Sequence, residues 1–408
     1  MHVLIAPDAL GASLGAGPAA AALAAGWSRG APHDSVETCP LSAGGLGFVG
    51  LVGDAVGVLP EPDGVLLVPG TLGTITAYID AYRGIDTDRS GAVLARAIEH
   101  ALSAGAARVV VGLPGPHEAS GVPDAGAGLL AALGALVPGR MPASDGPSQR
   151  CEERLSTRLG AVTTADLSGL AAVRERLRGV DLVGATATDV PLLGLHGASA
   201  SAAAAGVLGA ADAHDLERSV GHFAHVVHEV VERAGDVRRP LMLAGAGGGS
   251  RPVGVRALTS ASGSGAGGGL GFAICALGGR LVDGADLFAS VARTTERAEH
   301  ADLVLTACAT LDGASFHGSP TAVAVRSAAE WGVPCVAVAG TSMMSRRERA
   351  AAGLNAVVTL DEGRAPGVGG LRSGQAELAI SAERLARTWS PGRVQGLGVT
   401  GPRVLGHS

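Results

Sequence analysis

The chain opens on an unbroken apolar run, residues 3–6, that stops at Pro7-Asp8. A short apolar run bounded by a breaker predicts a buried strand. Residues 17–29 are Ala-rich, with Leu23 and Trp27 at helical spacing. Residues 36–39 return to strand character and enter the loop Ser42-Ala43-Gly44-Gly45-Leu46-Gly47. Strand, loop, helix and strand in that order predict an open α/β sheet. Further strands are predicted at 65–68, 108–113, 181–187 and 241–244. Further helices are predicted at 90–103, 125–136, 214–233 and 270–277. Residues 140–158, rich in Pro, Ser, Asp and Gln, read as an exposed connection. In the last third, strands at 301–307, 335–339 and 356–360 alternate with helices at 320–331 and 344–352. That βαβαβ pattern is a parallel-sheet signature. An amphipathic helix at 375–388 closes the pattern, and no fixed-period repeat is present.

Composition narrows the class. The 408 residues are 47% hydrophobic and 17% charged, a globular balance with length for two domains. A net charge of −6 gives no footprint for nucleic acid or an anionic membrane. No apolar run reaches the roughly 20 residues of a membrane span. The start lacks a basic lead, so no signal peptide is expected. Five scattered cysteines without a CxxC pair fit free thiols in a reducing cytoplasm. With 64 glycines and 2% aromatics, the core must be Ala, Val and Leu with closely packed backbones. The chain has no lysine, and its 31 basic residues are all Arg.

Seven segments carry a resemblance. They are IAPDALGASL at 5–14, PLSAGGLG at 40–47, GLPGPHEASGVPDAGAG at 112–128, ATDVPLLG at 187–194, GAGGGLG at 265–271, TACATLDGASFHGSP at 306–320, and the strand at 333–340. Each is weak alone, but the seven occur in order along almost the whole chain. The sequence resembles the glycerate kinase family. The resemblance implies a flavodoxin-like parallel-sheet domain built from both chain ends, 1–50 and 285–390. An inserted mixed α/β domain would span 51–284 and a tail 391–408. It also implies ATP- and Mg²⁺-dependent phosphorylation of glycerate.

Phosphoryl transfer needs a backbone cradle, cations, carboxylates for Mg²⁺, and a group that positions the attacking hydroxyl. Gly44, Gly45 and Gly47, and Gly267, Gly268, Gly269 and Gly271, offer cradles of unobstructed N–H groups. The same glycines also suit tight turns and close packing. Where the family carries lysines, this chain has Gly11, Ser319 and a position near Leu208. Where it carries acids, this chain has Ala43, Leu46 and Cys308. Residues 116–120 replace the family's hydrogen-bonding run.

Asp8, Ser13, Asp124, Asp189 and Asp312 remain. Asp312, Asp189 and Asp8 are the candidate catalytic residues, each after a predicted strand, where ligands sit in open α/β sheets. They would ligate Mg²⁺ or contact glycerate hydroxyls; as structural residues they would cap the next turn. Ser13, Asp124, Ser319 and the two glycine groups are the candidate substrate or phosphate contacts. No metal ligand set is assigned. His222, His225 and His228 read as an ordinary helix face, Cys308 as buried packing, and the glycines at 245–249 as no dinucleotide site. Two functions compete. One is a kinase whose lost cations are supplied by arginines such as Arg251, Arg256 or Arg29. The other is a non-catalytic paralogue that binds or regulates.

Overall fold

The computed structural model describes residues 1–11, 14–45, 47–81, 91–115, 122–137, 149–233, 255–316, 318–360 and 371–390. Among the described residues, ten strands form two five-stranded sheets. The first contains β1 (His2–Ile5), β2 (Ser35–Thr38), β8 (Leu303–Leu311), β9 (Cys335–Ser342) and β10 (Ala356–Thr359). Its order is β10-β9-β8-β1-β2, with every pair parallel. The second contains β3 (Leu66–Pro69), β4 (Ile75–Asp80), β5 (Arg108–Leu113), β6 (Asp181–Thr186) and β7 (Arg280–Asp283). It runs in sequence order, and only β3 is antiparallel to its neighbour.

Strand periodicity explains the layering. Successive side chains point to opposite faces, so a strand buried on both faces is apolar throughout. In β1, Val3 and Ile5 face the helices Ala16–Gly30 and Leu371–Trp389, where Leu23, Trp27, Leu378 and Leu385 complete one core. Leu4 faces inward, into a core shared by both sheets. That middle layer joins Leu4, Val304 and Ala337 of the first sheet to Tyr78, Val110 and Val183 of the second. Phe48, of the helix Phe48–Val56, stands between Tyr78 and Phe288, with ring centroids 6.1 and 6.2 Å away. The far face of the second sheet packs under Ala92–Ser103, Ala210–Arg233 and Ala266–Ala276.

Several elements depart from the sequence reading. β4, β7 and the helix Phe48–Val56 were not expected. Within the connection expected at 140–158, the described part belongs to a helix, Gln149–Gly160. The strand expected at 241–244 lies outside the described residues. Among the described residues, no helix is long and apolar enough to cross a membrane.

A buried carboxylate ties the chain ends together. The Asp34 side chain is fully shielded from solvent and accepts hydrogen bonds from Trp27 Nε1 (2.9 Å), Ser390 Oγ (2.9 Å) and the Met1 ammonium (2.7 Å). Burial pushes its carboxyl up, but those three donors together hold it below the usual range. A depressed folded pKa contributes stability above the unfolded value, about 4, and loses it as pH falls through the folded one. Asp34→Asn is therefore expected to cost about 2 kcal/mol near neutral pH. The gap from wild type should close as denaturation is followed down to about pH 2. A gap that is constant with pH would refute the ionised bond.

Candidate functional site

In the first sheet the chain runs outward from β1 to β2 on one side, and from β8 through β9 to β10 on the other. The direction of winding therefore reverses between β1 and β8. Connections leave such a pair to opposite faces, opening a crevice at the carboxyl ends of the two strands where ligands bind. Asp8 follows β1 and Asp312 follows β8, so both stand at that crevice, each partly buried. The Asp8 N–H donates to Ala307 O at 2.8 Å, which holds the β1 exit against β8.

Cys308 lies on β8, near enough to both carboxylates to feel their charge, and is buried. Burial is the main cause that pushes its thiol up to about 11; Asp8 and Asp312 push the same way, against the Thr321 hydroxyl. The thiol is therefore neutral and a poor nucleophile at physiological pH. Thr321, 2% exposed, places its hydroxyl beside Cys308 without a hydrogen bond of good geometry. It sits in the first turn of the helix Pro320–Glu330. Ser319 is the N-cap of that helix, accepting from the Ala322 N–H at 3.1 Å and donating to Phe316 O at 2.7 Å.

The second sheet supplies the opposite wall. The loop after β2 lies on the end of β6. Gly44 N–H donates to Ser42 Oγ at 3.1 Å, and a side chain on Gly44 would meet Ala185 O at 2.4 Å. A side chain on Gly284 would meet Ala43 O at 1.7 Å. Asp283, at the end of β7, caps the helix Gly284–Ala292 through the Asp286 N–H (2.9 Å). Burial pushes its carboxyl up. Its Oδ2 faces Gly318 across the crevice, 2.7 Å from where a β-carbon would stand. Asp283 and Thr321 were not singled out from the sequence; a strand-end Asp before a helix was the available signal for the first.

In both glycine groups part of the backbone is already engaged. At the first, Phe48 N–H donates to Gly45 O (3.2 Å), and Val49 N–H to the Asp80 carboxylate (3.0 Å). The helix that starts after Gly47 therefore already holds an internal anion at its N-terminus. At the second, Gly267, Gly268 and Gly269 have φ of 60°, 71° and 105°, a left-handed bend that favours glycine. The Gly267 N–H donates to Pro114 O (3.0 Å) and the Gly269 N–H to Gly265 O (3.2 Å), while Gly268 O accepts from Ala125 (3.1 Å). A side chain on Gly271 would meet Gly263 O at 2.2 Å. These glycines join the second sheet's loops by close packing.

Asp124 is engaged in that junction, its two oxygens accepting from the N–H groups of Gly126 (2.8 Å) and Gly128 (2.9 Å). Burial pushes its carboxyl up against those bonds. Asp189 is exposed on the loop after β6. Ser13, His317 and Arg251 lie outside the described residues. Arg29 pairs with Glu383 at 3.1 Å, on the helix layer away from the crevice. His222 bonds Val162 O (2.9 Å), His228 pairs with Glu232 (3.0 Å), and His225 is exposed, so the three do not gather. Among the described residues the group that could gather a metal is Glu61, Asp63 and His100. It lies at the turn before β3, and each of its imidazole nitrogens already faces a carboxylate.

The comparisons agree with this architecture. The chain is 28% identical over 387 residues to an uncharacterized protein of Mycobacterium bovis, covering 89% of this chain and 84% of the relative. It is 27% identical over 395 residues to a glycerate kinase of Bacillus subtilis, covering 90% and 92%. A solved chain described as a glycerate kinase 2 of Salmonella typhimurium LT2 superposes with a TM-score of 0.62 at 22% identity, over 95% of this chain and 98% of that one. That likeness shows the fold. The model of the glycerate kinase family matches residues 3–390. With its reversal point, its paired strand-end carboxylates and that match, the chain belongs to the glycerate kinase family.

Proposed function

We propose that the protein transfers a phosphoryl group from ATP to glycerate or a similar small hydroxy acid, in the crevice between β1 and β8, more slowly than its charged relatives. The observation that carries this reading is the pair Asp8 and Asp312 at the reversal point, both acting on Cys308. Carboxylate oxygens are the donors Mg²⁺ takes, and one or two suffice when phosphate oxygens complete the shell. These two residues fit that need and would hold the ion, which supplies offset for charge on the transferred group. The first turn of Pro320–Glu330 would face phosphate oxygens with the Thr321 hydroxyl and the positive end of the helix. Asp189, exposed on the opposite wall, would accept from the acceptor's hydroxyl and orient it. The glycine bend at 267–269 supports the wall. The two sheets would correspond to the two domains, with the protein in the cytoplasm.

A second reading is favoured by the spent amides at Val49, Gly267 and Gly269 and by the neutral Cys308 thiol. It is a paralogue that keeps the crevice and binds without turnover. Calorimetric titration with Mg²⁺-ATP, with and without glycerate, and a coupled assay for ADP separate the two. Micromolar heat with ADP release that needs glycerate supports the kinase. A folded sample silent at millimolar nucleotide refutes it.

A further inference from the structure

We infer that Glu217, on the helix Ala210–Arg233, is the positioning residue that sets Asp189, an inference that rests on the role proposed above for that carboxylate. Asp189 stands at the head of the segment that leads from β6 to the helix Ala198–Ala204. The inner part of this segment is stitched to the turn before the glycine bend. Leu192 N–H donates to Ser264 Oγ (2.8 Å) and Thr259 O (3.0 Å), and Gly265 N–H donates to Val190 O (2.9 Å).

The outer part has no such backing. Leu195, at its tip, is 93% exposed, and His196 is exposed beside it, so neither side chain packs to hold the turn among the described residues. Gly194 has φ of 117°, and its carbonyl accepts from the Gly197 N–H at 2.8 Å. What reaches this turn from another element is Glu217, whose Oε1 accepts from the Gly194 N–H at 2.7 Å. A hydrogen bond to an ionised carboxylate is roughly twice as strong as a neutral one.

Glu217 is not a surface acid that happens to lie near. Its second oxygen, Oε2, is sealed from solvent and has no hydrogen-bond partner among the described residues. One oxygen thus serves the turn while the other is shielded from solvent. Leu216 and Val220, buried on either side along the helix, fix its base. The rigid helix thus determines where Gly194 lies, and the stitched residues 190–193 carry that position back to Asp189.

The test combines amide hydrogen exchange with kinetics on Glu217→Ala and Glu217→Gln in the full chain. Glu217→Ala is expected to speed exchange at Gly194 by about ten- to a hundred-fold. It should lower kcat about tenfold with KM for Mg²⁺-ATP unchanged, since only the acceptor's orientation is disturbed. Glu217→Gln keeps an oxygen for the same N–H and should recover most of both. Unchanged exchange at Gly194 in Glu217→Ala overturns the inference, as does faster exchange with wild-type kcat. A wild type without turnover refutes the kinase reading alone. Exchange then decides: loosening that reaches the amides of Asp189 and Val190 upholds the strut, and loosening confined to Gly194 overturns it.

Discussion

Asp312→Asn is expected to cut turnover of glycerate and ATP at least about a hundred-fold, with Tm within a few degrees of wild type. The amide keeps the shape of the side chain and removes its charge. What is lost is a carboxylate oxygen for the metal at the point where winding reverses. Asp8→Asn should behave alike, since the two acids leave adjacent strands. Activity within about threefold of wild type in both variants would place the chemistry elsewhere. A second readout needs no turnover. The Asp312 carboxylate pushes the Cys308 thiol up, so its removal lowers that pKa and raises the thiolate fraction at fixed pH. Alkylation of Cys308 should therefore be faster in Asp312→Asn than in wild type, read by mass spectrometry of the peptide. A slower rate would refute that coupling.

Gly284→Ala is expected to be the most damaging single methyl group among the described glycines, at about 3 kcal/mol or more. Alanine is a good residue in the first turn of a helix, so propensity predicts a small gain. Packing reverses the sign. The β-carbon would stand 1.7 Å from Ala43 O and 2.5 Å from Ala43 C, backbone atoms that no rotamer change can move. Relief requires the loop after β2 to lift from the end of β7, which opens the crevice as well as destabilising the fold. Gly50→Ala is the control: its helical position is exposed and open, and the change should be neutral or stabilise by about 0.5–1 kcal/mol. Urea denaturation of both variants checks the pair. Equal midpoints would show that the close approach at Gly284 is not maintained.

The fold was legible where hydrophobic pattern and burial coincide. β1, β8, β9 and β10 lie in the first sheet with apolar residues toward the helices on one face and the shared core on the other, and such runs announce themselves. β4 (Ile-Thr-Ala-Tyr-Ile-Asp) and β7 (Arg-Leu-Val-Asp) mix polar and apolar residues over a few positions; β4 becomes a strand by pairing with β3 and β5, and β7 by pairing with the distant β6. Gln149–Gly160 is so polar that composition suggested a connection, yet Leu155 and Leu159 are buried. At the site, motif order placed Asp8, Asp312 and Asp189 at strand ends. It did not reveal how backbone amides are spent. A run of glycines reads alike whether its N–H groups face solvent or, as at Gly267, point at Pro114 O. Thr321 has no spacing signal at all, because its importance comes from facing Cys308 across the sequence.

The pairing of Val3 with Leu303 governs the order in which the molecule can be assembled. During synthesis β1 and β2 emerge first, but the inner edge of β1 has no partner until more than two-thirds of the chain has been made. The second sheet closes earlier, since all its strands lie between Leu66 and Asp283. Closing so long a loop costs little more entropy than closing a shorter one, because the cost grows only with the logarithm of length. It does delay the contact. The strand that leads to Asp8 thus waits with one edge unsatisfied, and the crevice between β1 and β8 is among the last features of the protein to exist.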